Sequence, residues 1–112
     1  MPNPIDEGTH TTAGTTEETI YTASTNRVTQ LTINVDAMAS GDTFVIREKQ
    51  KVLTGDSATL VKATTLTGAD GSLPGSAVVF QTNPLSGPYG VTYTIDRDAG
   101  SDRAFPWRVD EV

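Results

Sequence analysis

Between Arg27 and Asp36 apolar and polar residues alternate one for one. Leu31, Ile33 and Val35 fall on one side, and Gln30, Thr32 and Asn34 on the other. A β-strand sends successive side chains to opposite faces, so a period of two specifies a strand with one buried face. A slip of one residue would turn the whole apolar set to water, so the register is tightly specified too. Threonine carries the same message along the chain, with 19 residues among 112. Its branched hydroxyl suits a pleated, half-exposed surface and serves a helix interior poorly. No stretch has the Ala, Leu, Glu and Lys mixture that a helix favours.

Seven strands are expected. The first spans residues 20–24, followed by a turn at Asn26, and the second is the alternating segment 27–36. Residues 37–42 form a connection, with one helical turn ended by Gly41 and with Met38 plugging the end of the core. The third strand, 43–53, turns Phe44 and Ile46 inward and carries Arg47, Glu48, Lys49, Gln50 and Lys51, which mark a solvent face or a charged edge. The fourth spans 58–67. A loop dense in turn formers follows at 68–75, with Asp70-Gly71 as its tight point. The fifth, 76–82, contains the apolar run Ala77-Val78-Val79-Phe80, the pattern of a strand buried on both faces. The sixth, 89–96, places Tyr89, Val91, Tyr93 and Ile95 on one side. The last, 104–112, carries Phe105, Trp107 and Val109 in register. Pro106 has no N–H to give a ladder, which points to an edge or bulged strand.

Turn signals between strands spaced this closely predict an all-β fold. The expected architecture is a single β-sandwich or jelly-roll-like barrel of about seven antiparallel strands. Its core is expected from Leu31, Ile33, Val35, Phe44, Ile46, Val79, Val91, Tyr93, Ile95, Phe105, Trp107 and Val109. The domain is expected to span 19–112. Residues 1–18 contain Pro2, Pro4, Gly8, Gly14 and many threonines, but beyond Met1 only one large aliphatic residue, Ile5. They read as an extended or flexible N-terminal arm, either a frayed terminus or a segment that becomes ordered against a neighbouring subunit with Ile5 and His10 as its anchors. Arg108 and Asp110 alternate with the inward residues of the last strand and are expected to point outward, open to a partner.

The chain has no Cys, one His and a net charge of −6. An acidic chain is a poor partner for nucleic acid or for anionic lipid. The absence of disulfides points to assembly inside a cell or to stability gained from partners, and residues 1–7 have neither the basic nor the apolar region of a signal peptide. No apolar run reaches the roughly 20 residues of a membrane span. Nucleophilic catalysis has little to work with, since His10 sits in the arm with nothing nearby to aim it. The Cys and His clusters of zinc sites and the glycine motifs of phosphate loops are missing. Asp36, Glu48 and Asp96 are the carboxylates from which a glycosidase pair would have to come, but a chain of 112 residues leaves little room for a cleft. Residues 96–102 space their acids somewhat like a calcium loop, yet the closing Glu is absent and Arg97 and Arg103 flank them; a polar hairpin turn with local ion pairs is the better reading. No enzyme activity, cofactor or metal is therefore expected.

Two stretches carry a family resemblance. Tyr89-Gly90-Val91-Thr92-Tyr93-Thr94-Ile95, followed by Gly100-Ser101-Asp102-Arg103-Ala104-Phe105-Pro106-Trp107-Arg108-Val109, resembles the C-terminal hairpin of small virion proteins of tailed bacteriophages. The order of strand 31–36, Met38, Gly41-Asp42, strand and Leu53-Thr54-Gly55 is similar to theirs as well. The resemblance covers about residues 18–112. It implies a structural protein on the virion, of the capsid decoration or cement type, made in the host cytoplasm. The partner it implies is the major capsid protein, with self-association as a dimer or trimer on the particle. A tail-tip, fibre-associated or head-completion protein is the alternative within the virion. A carbohydrate-binding or adhesin-like sandwich is the alternative outside it, and would require an exposed platform among Trp107, Tyr89 and Tyr93.

Overall fold

A computed structural model of the chain describes residues 3–23, 26–55, 57–68 and 79–112. Among these described residues there are nine strands: β1 (Asn3–Thr11), β2 (Glu18–Ala23), β3 (Arg27–Asn34), β4 (Thr43–Gln50), β5 (Thr59–Thr67), β6 (Val79–Gln81), β7 (Leu85–Gly87), β8 (Val91–Ala99) and β9 (Ala104–Glu111). They form two antiparallel sheets packed face to face. One runs β1-β9-β3-β6, with β7 also on β3; the other runs β2-β8-β4-β5.

The pairings nest. β1 pairs with β9, β2 with β8, β3 with both β7 and β6, and β4 with β5. The chain is thus one long antiparallel ribbon, doubled back at the β4–β5 hairpin and wound up. The winding adds the contacts β3–β9 and β4–β8, which close the two sheets.

Alternation places the core where the sequence puts it. Leu31, Ile33, Phe44, Ile46, Tyr93, Ile95, Phe105 and Val109 are fully buried, Val91 and Val35 nearly so, and Ile20, Ala23 and Leu66 join them. Phe44 and Phe105 meet edge to face across the sandwich, with ring centroids 5.0 Å apart, a favoured aromatic geometry. Met38 packs against the end of this core, as expected. Trp107 is half-buried: Gly8 lies under its ring and Tyr21 tilts against it at 6.1 Å.

Several expectations are corrected. Val79 is 49% exposed, because β6 is a short strand at the end of its sheet and not a central one; its neighbour Phe80 packs on the core instead. β4 is no edge, since β8 and β5 flank it, and its outward Arg47 and Lys49 pair with Asp96 and Glu17. β9 lies between β1 and β3 despite Pro106. The even-numbered residues of β9 direct their backbone toward β3, as Val112 does in donating to Val28, and the β3 ladder ends at Ile33–Trp107, one residue before Pro106. The missing N–H therefore falls just beyond the ladder. Residues 37–42 are not helical: Met38 N–H donates to Val35 and Asp42 N–H to Ala39, two successive turns, with Gly41 at φ +90°. The 3–11 part of the expected arm is β1, held in the same chain by β9. The tight turn expected at Asp70-Gly71 and the first three residues of the expected fifth strand, 76–78, lie outside the described residues.

Candidate interaction surface

The four residues expected to meet a partner are Ile5, His10, Arg108 and Asp110. The nested pairing brings all four onto one two-stranded ribbon, because Pro4 lies opposite Asp110, Glu7 opposite Arg108 and His10 opposite Phe105. Their environments differ. Ile5 sits at an irregularity of β1, between Pro4 and Asp6, and packs against the core. The Nε2 of His10 lies 3.1 Å from Glu18 Oε1, which ties the end of β1 to the start of β2, where the chain passes from one sheet to the other. Arg108 is exposed on the outer face. Asp110 shares that face but is only 3% exposed, because Arg108 folds over it and donates from its Nε at 3.0 Å. The expectation that Asp110 stands open to a partner is therefore corrected.

Below this ribbon the link 12–17 is clamped from two sides. Thr12, 2% exposed, donates its N–H to the Arg103 carbonyl and accepts from the Arg103 N–H through its hydroxyl. Gly14 N–H donates to Asp102, and Asp102 also pairs with Arg97 at 3.4 Å. Asp102 is thus engaged by backbone and arginine, and Asp96 by Arg47, as in a hairpin turn with local ion pairs. Asp42, at the start of β4, accepts from Arg103 Nε at 2.8 Å and from the N–H groups of Ala39 and Ser101. Arg103 foremost, with those amides, holds its carboxyl down to about 2, against the opposing effect of burial.

The carboxylates considered for catalysis are dispersed. Asp36 is exposed in the turn after β3. Asp96 lies on the outer face of β8, where burial raises its pKa, Arg47 opposes the rise and Asp98 adds to it. Glu48 lies on the inner face, 4% exposed, opposite Tyr93 on β8 and Lys62 on β5. Burial pushes its carboxyl up, and the nearby Lys62 only partly offsets this. Among the described residues no group of three or more His, Asp or Glu is placed to hold a metal ion.

The three aromatics proposed for a sugar platform are separated as well. Tyr93 is fully buried, its hydroxyl 2.8 Å from that of the buried Thr29, and Trp107 is half-buried. Tyr89 alone is open, 45% exposed, beside a concavity of about 250 Å³ lined by Thr22, Lys51, Thr54 and Thr92.

Sequence reasoning missed the most prominent surface feature. The β4–β5 hairpin runs past the sandwich, and residues 59–63 of β5 are exposed on both faces. Leu60 is 57% and Val61 47% exposed, and in the turn Val52 and Leu53 are each 64% exposed. Contiguous exposed apolar side chains are a mark of interaction surfaces. The available signal was the pair of apolar dipeptides Val52-Leu53 and Leu60-Val61 around a turn, outside any alternation. No protein-family model, no curated protein and no solved structure matches the chain.

Proposed function

We propose that the chain is a non-enzymatic structural protein of a tailed-phage particle, a capsid decoration protein that sits on major capsid subunits and bridges them. The observation that carries this reading is the strand order, β1-β9-β3-β6 against β2-β8-β4-β5. β6 and β7 share β3 and behave as two pieces of one broken strand. We read this winding as the plan of a jelly roll, an architecture common among viral capsid and lectin domains. A fold does not name a function. The Phe105-Pro106-Trp107 element narrows it, through the resemblance to small virion proteins. The overhanging hairpin supplies an adhesive surface on a domain whose interior is devoted to packing. A protein that touches two capsid subunits at once adds its binding energy to their association without altering their own contact.

Counting copies in purified particles of a phage that carries this gene is the direct experiment. Hundreds of copies per particle, with earlier heat disruption of particles that lack the protein, support the reading. A handful of copies would point to the tail or the head–tail joint, and equal robustness without it would overturn the bridging role.

The open Tyr89 beside its threonine-lined concavity favours one second reading, a lectin-like sandwich. Quenching of tyrosine emission by added oligosaccharide, abolished by Tyr89→Ala, would support it.

A further inference from the structure

The backbone around the concavity beside Tyr89 is fixed. Gly90 N–H donates to the Gly87 carbonyl at 3.2 Å, closing the turn between β7 and β8, and Lys51 N–H donates to the Gly90 carbonyl at 3.3 Å. Gly90 has φ +120°, and a Cβ on Gly87 would lie 2.3 Å from the Val91 side chain, so the turn is close-packed as well as bonded. Tyr89 is thereby held out to solvent from a pinned turn, a rigid aromatic with one apolar face and a polar tip.

The rest of the lining is hydroxyl and one charge. Thr22, Thr54 and Thr92 line the concavity, and the hydroxyls of Thr22 and Thr92 lie 3.5 Å apart across the β2–β8 pair. Each can both donate and accept. Lys51 also lines it, and no Asp or Glu does among the described residues. Lys49, two residues earlier, is taken by Glu17 at 2.6 Å, whereas among the described residues Lys51 has no ion-pair partner. In a chain of net charge −6 this is a local site of opposite sign.

These features select a ligand class. A volume of about 250 Å³ is below the roughly 300–1,000 Å³ of pockets for drug-sized ligands, and suits about one sugar ring. A phosphate group is poorly served, because the Lys51 and Gly90 N–H groups are spent within the turn and a single lysine remains against two charges. A carboxylate carries one charge, and the hydroxyls of a sugar match threonine. We infer that the concavity takes a carboxylated saccharide, a uronic-acid unit stacked on Tyr89 with its carboxylate on Lys51. The inference rests on the saccharide reading of Tyr89 and adds the charge of the ligand.

The full chain is titrated with a galacturonate trisaccharide and with its methyl ester, which keeps the sugar rings and loses the charge, while backbone amide signals are followed by NMR. The amides of Lys51, Gly90 and Thr92 are expected to move. The acid is expected to bind about fivefold tighter than the ester at low salt, the scale of one partly exposed ion pair, and the gap to close as salt is added. Lys51→Gln should erase the gap and leave the affinity for the ester unchanged, and Tyr89→Ala should weaken both. Both side chains lie outside the core, so unshifted amides elsewhere verify the fold of each variant. Equal affinity for acid and ester would overturn the inference and leave the saccharide reading standing. No binding of either up to about 10 mM would remove both. A preference that survives Lys51→Gln, or inorganic phosphate displacing the trisaccharide at equal concentration, would also overturn the inference.

Discussion

Arg103 reaches across 61 residues of chain to donate to Asp42 at 2.8 Å, and Asp42 is 2% exposed. The pair ties the start of β4 to the turn before β9. The carboxyl ionises near 2 instead of 3.8, so its folded-state pKa is depressed. Its stabilisation is complete above the unfolded value and is lost as pH falls through the window from about 4 to about 2. Asp42→Asn is expected to cost about 2–3 kcal/mol near pH 6, since Arg103 and two backbone N–H groups lose a charged acceptor. The gap to wild type should shrink toward pH 2. Urea midpoints measured across that range check both statements.

Gly100 and Gly14 both have positive φ, +91° and +82°. A Cβ at Gly100 would lie 2.0 Å from the Asp42 carboxylate and 2.7 Å from its Cα, whereas a Cβ at Gly14 meets nothing within 4 Å. Gly14→Ala should therefore cost about 1 kcal/mol, the backbone penalty alone. Gly100→Ala should cost at least about 2 kcal/mol more, because backbone must move. The difference between the two unfolding free energies isolates the clash.

Glu48 titrates in the opposite sense to Asp42. Burial raises its pKa above 4.5 in the folded chain. The native state then holds the proton more tightly than the unfolded state, and stability falls as pH rises from 4.5 through the folded value. Glu48→Gln is expected to raise the denaturation midpoint at pH 7 and to leave it nearly unchanged at pH 4. A lower midpoint at pH 7 would mean that ionised Glu48 is favourably paired.

Gly8 lies against the Trp107 ring, so β1 shields the single tryptophan. Deleting residues 1–11 should shift its emission to the red and raise its quenching by acrylamide. An arm standing off the domain would leave both unchanged.

The interior was legible where side chains carry the signal. Leu31, Ile33 and Val35, and likewise Phe105 and Val109, announce their face by alternation, and all are buried. β1 was not legible, because only Ile5 among its large side chains reaches the core and the strand is held by backbone groups that every residue possesses. Thr29 and Thr82 are buried at 0% and 3%; Thr29 bonds Tyr93 and the Thr82 hydroxyl accepts from Leu31 N–H, and a threonine in a pattern says nothing of such a partner. Val79 misled because an apolar run looks the same in a central strand and in a short one at the end of a sheet. Asp110 looked free because its burial depends on how Arg108 folds over it. The candidate surface stayed hidden for a related reason: that the hairpin overhangs its sandwich is a matter of relative strand lengths in two sheets.

The nested pairing sets an order on the ribosome. β4 and β5 are neighbours in the sequence and can meet early, whereas among the described residues β1 pairs only with β9, about a hundred residues later. β1 must wait for β9, and contacts of such long range slow folding. While it waits, β1 is an acidic strand without a ladder, beside hairpins already formed on its own and on neighbouring nascent chains. Polysome spacing and translation rate should therefore influence how much of this protein reaches its native pairing, and a circular permutant that joins β9 directly to β1 should fold faster.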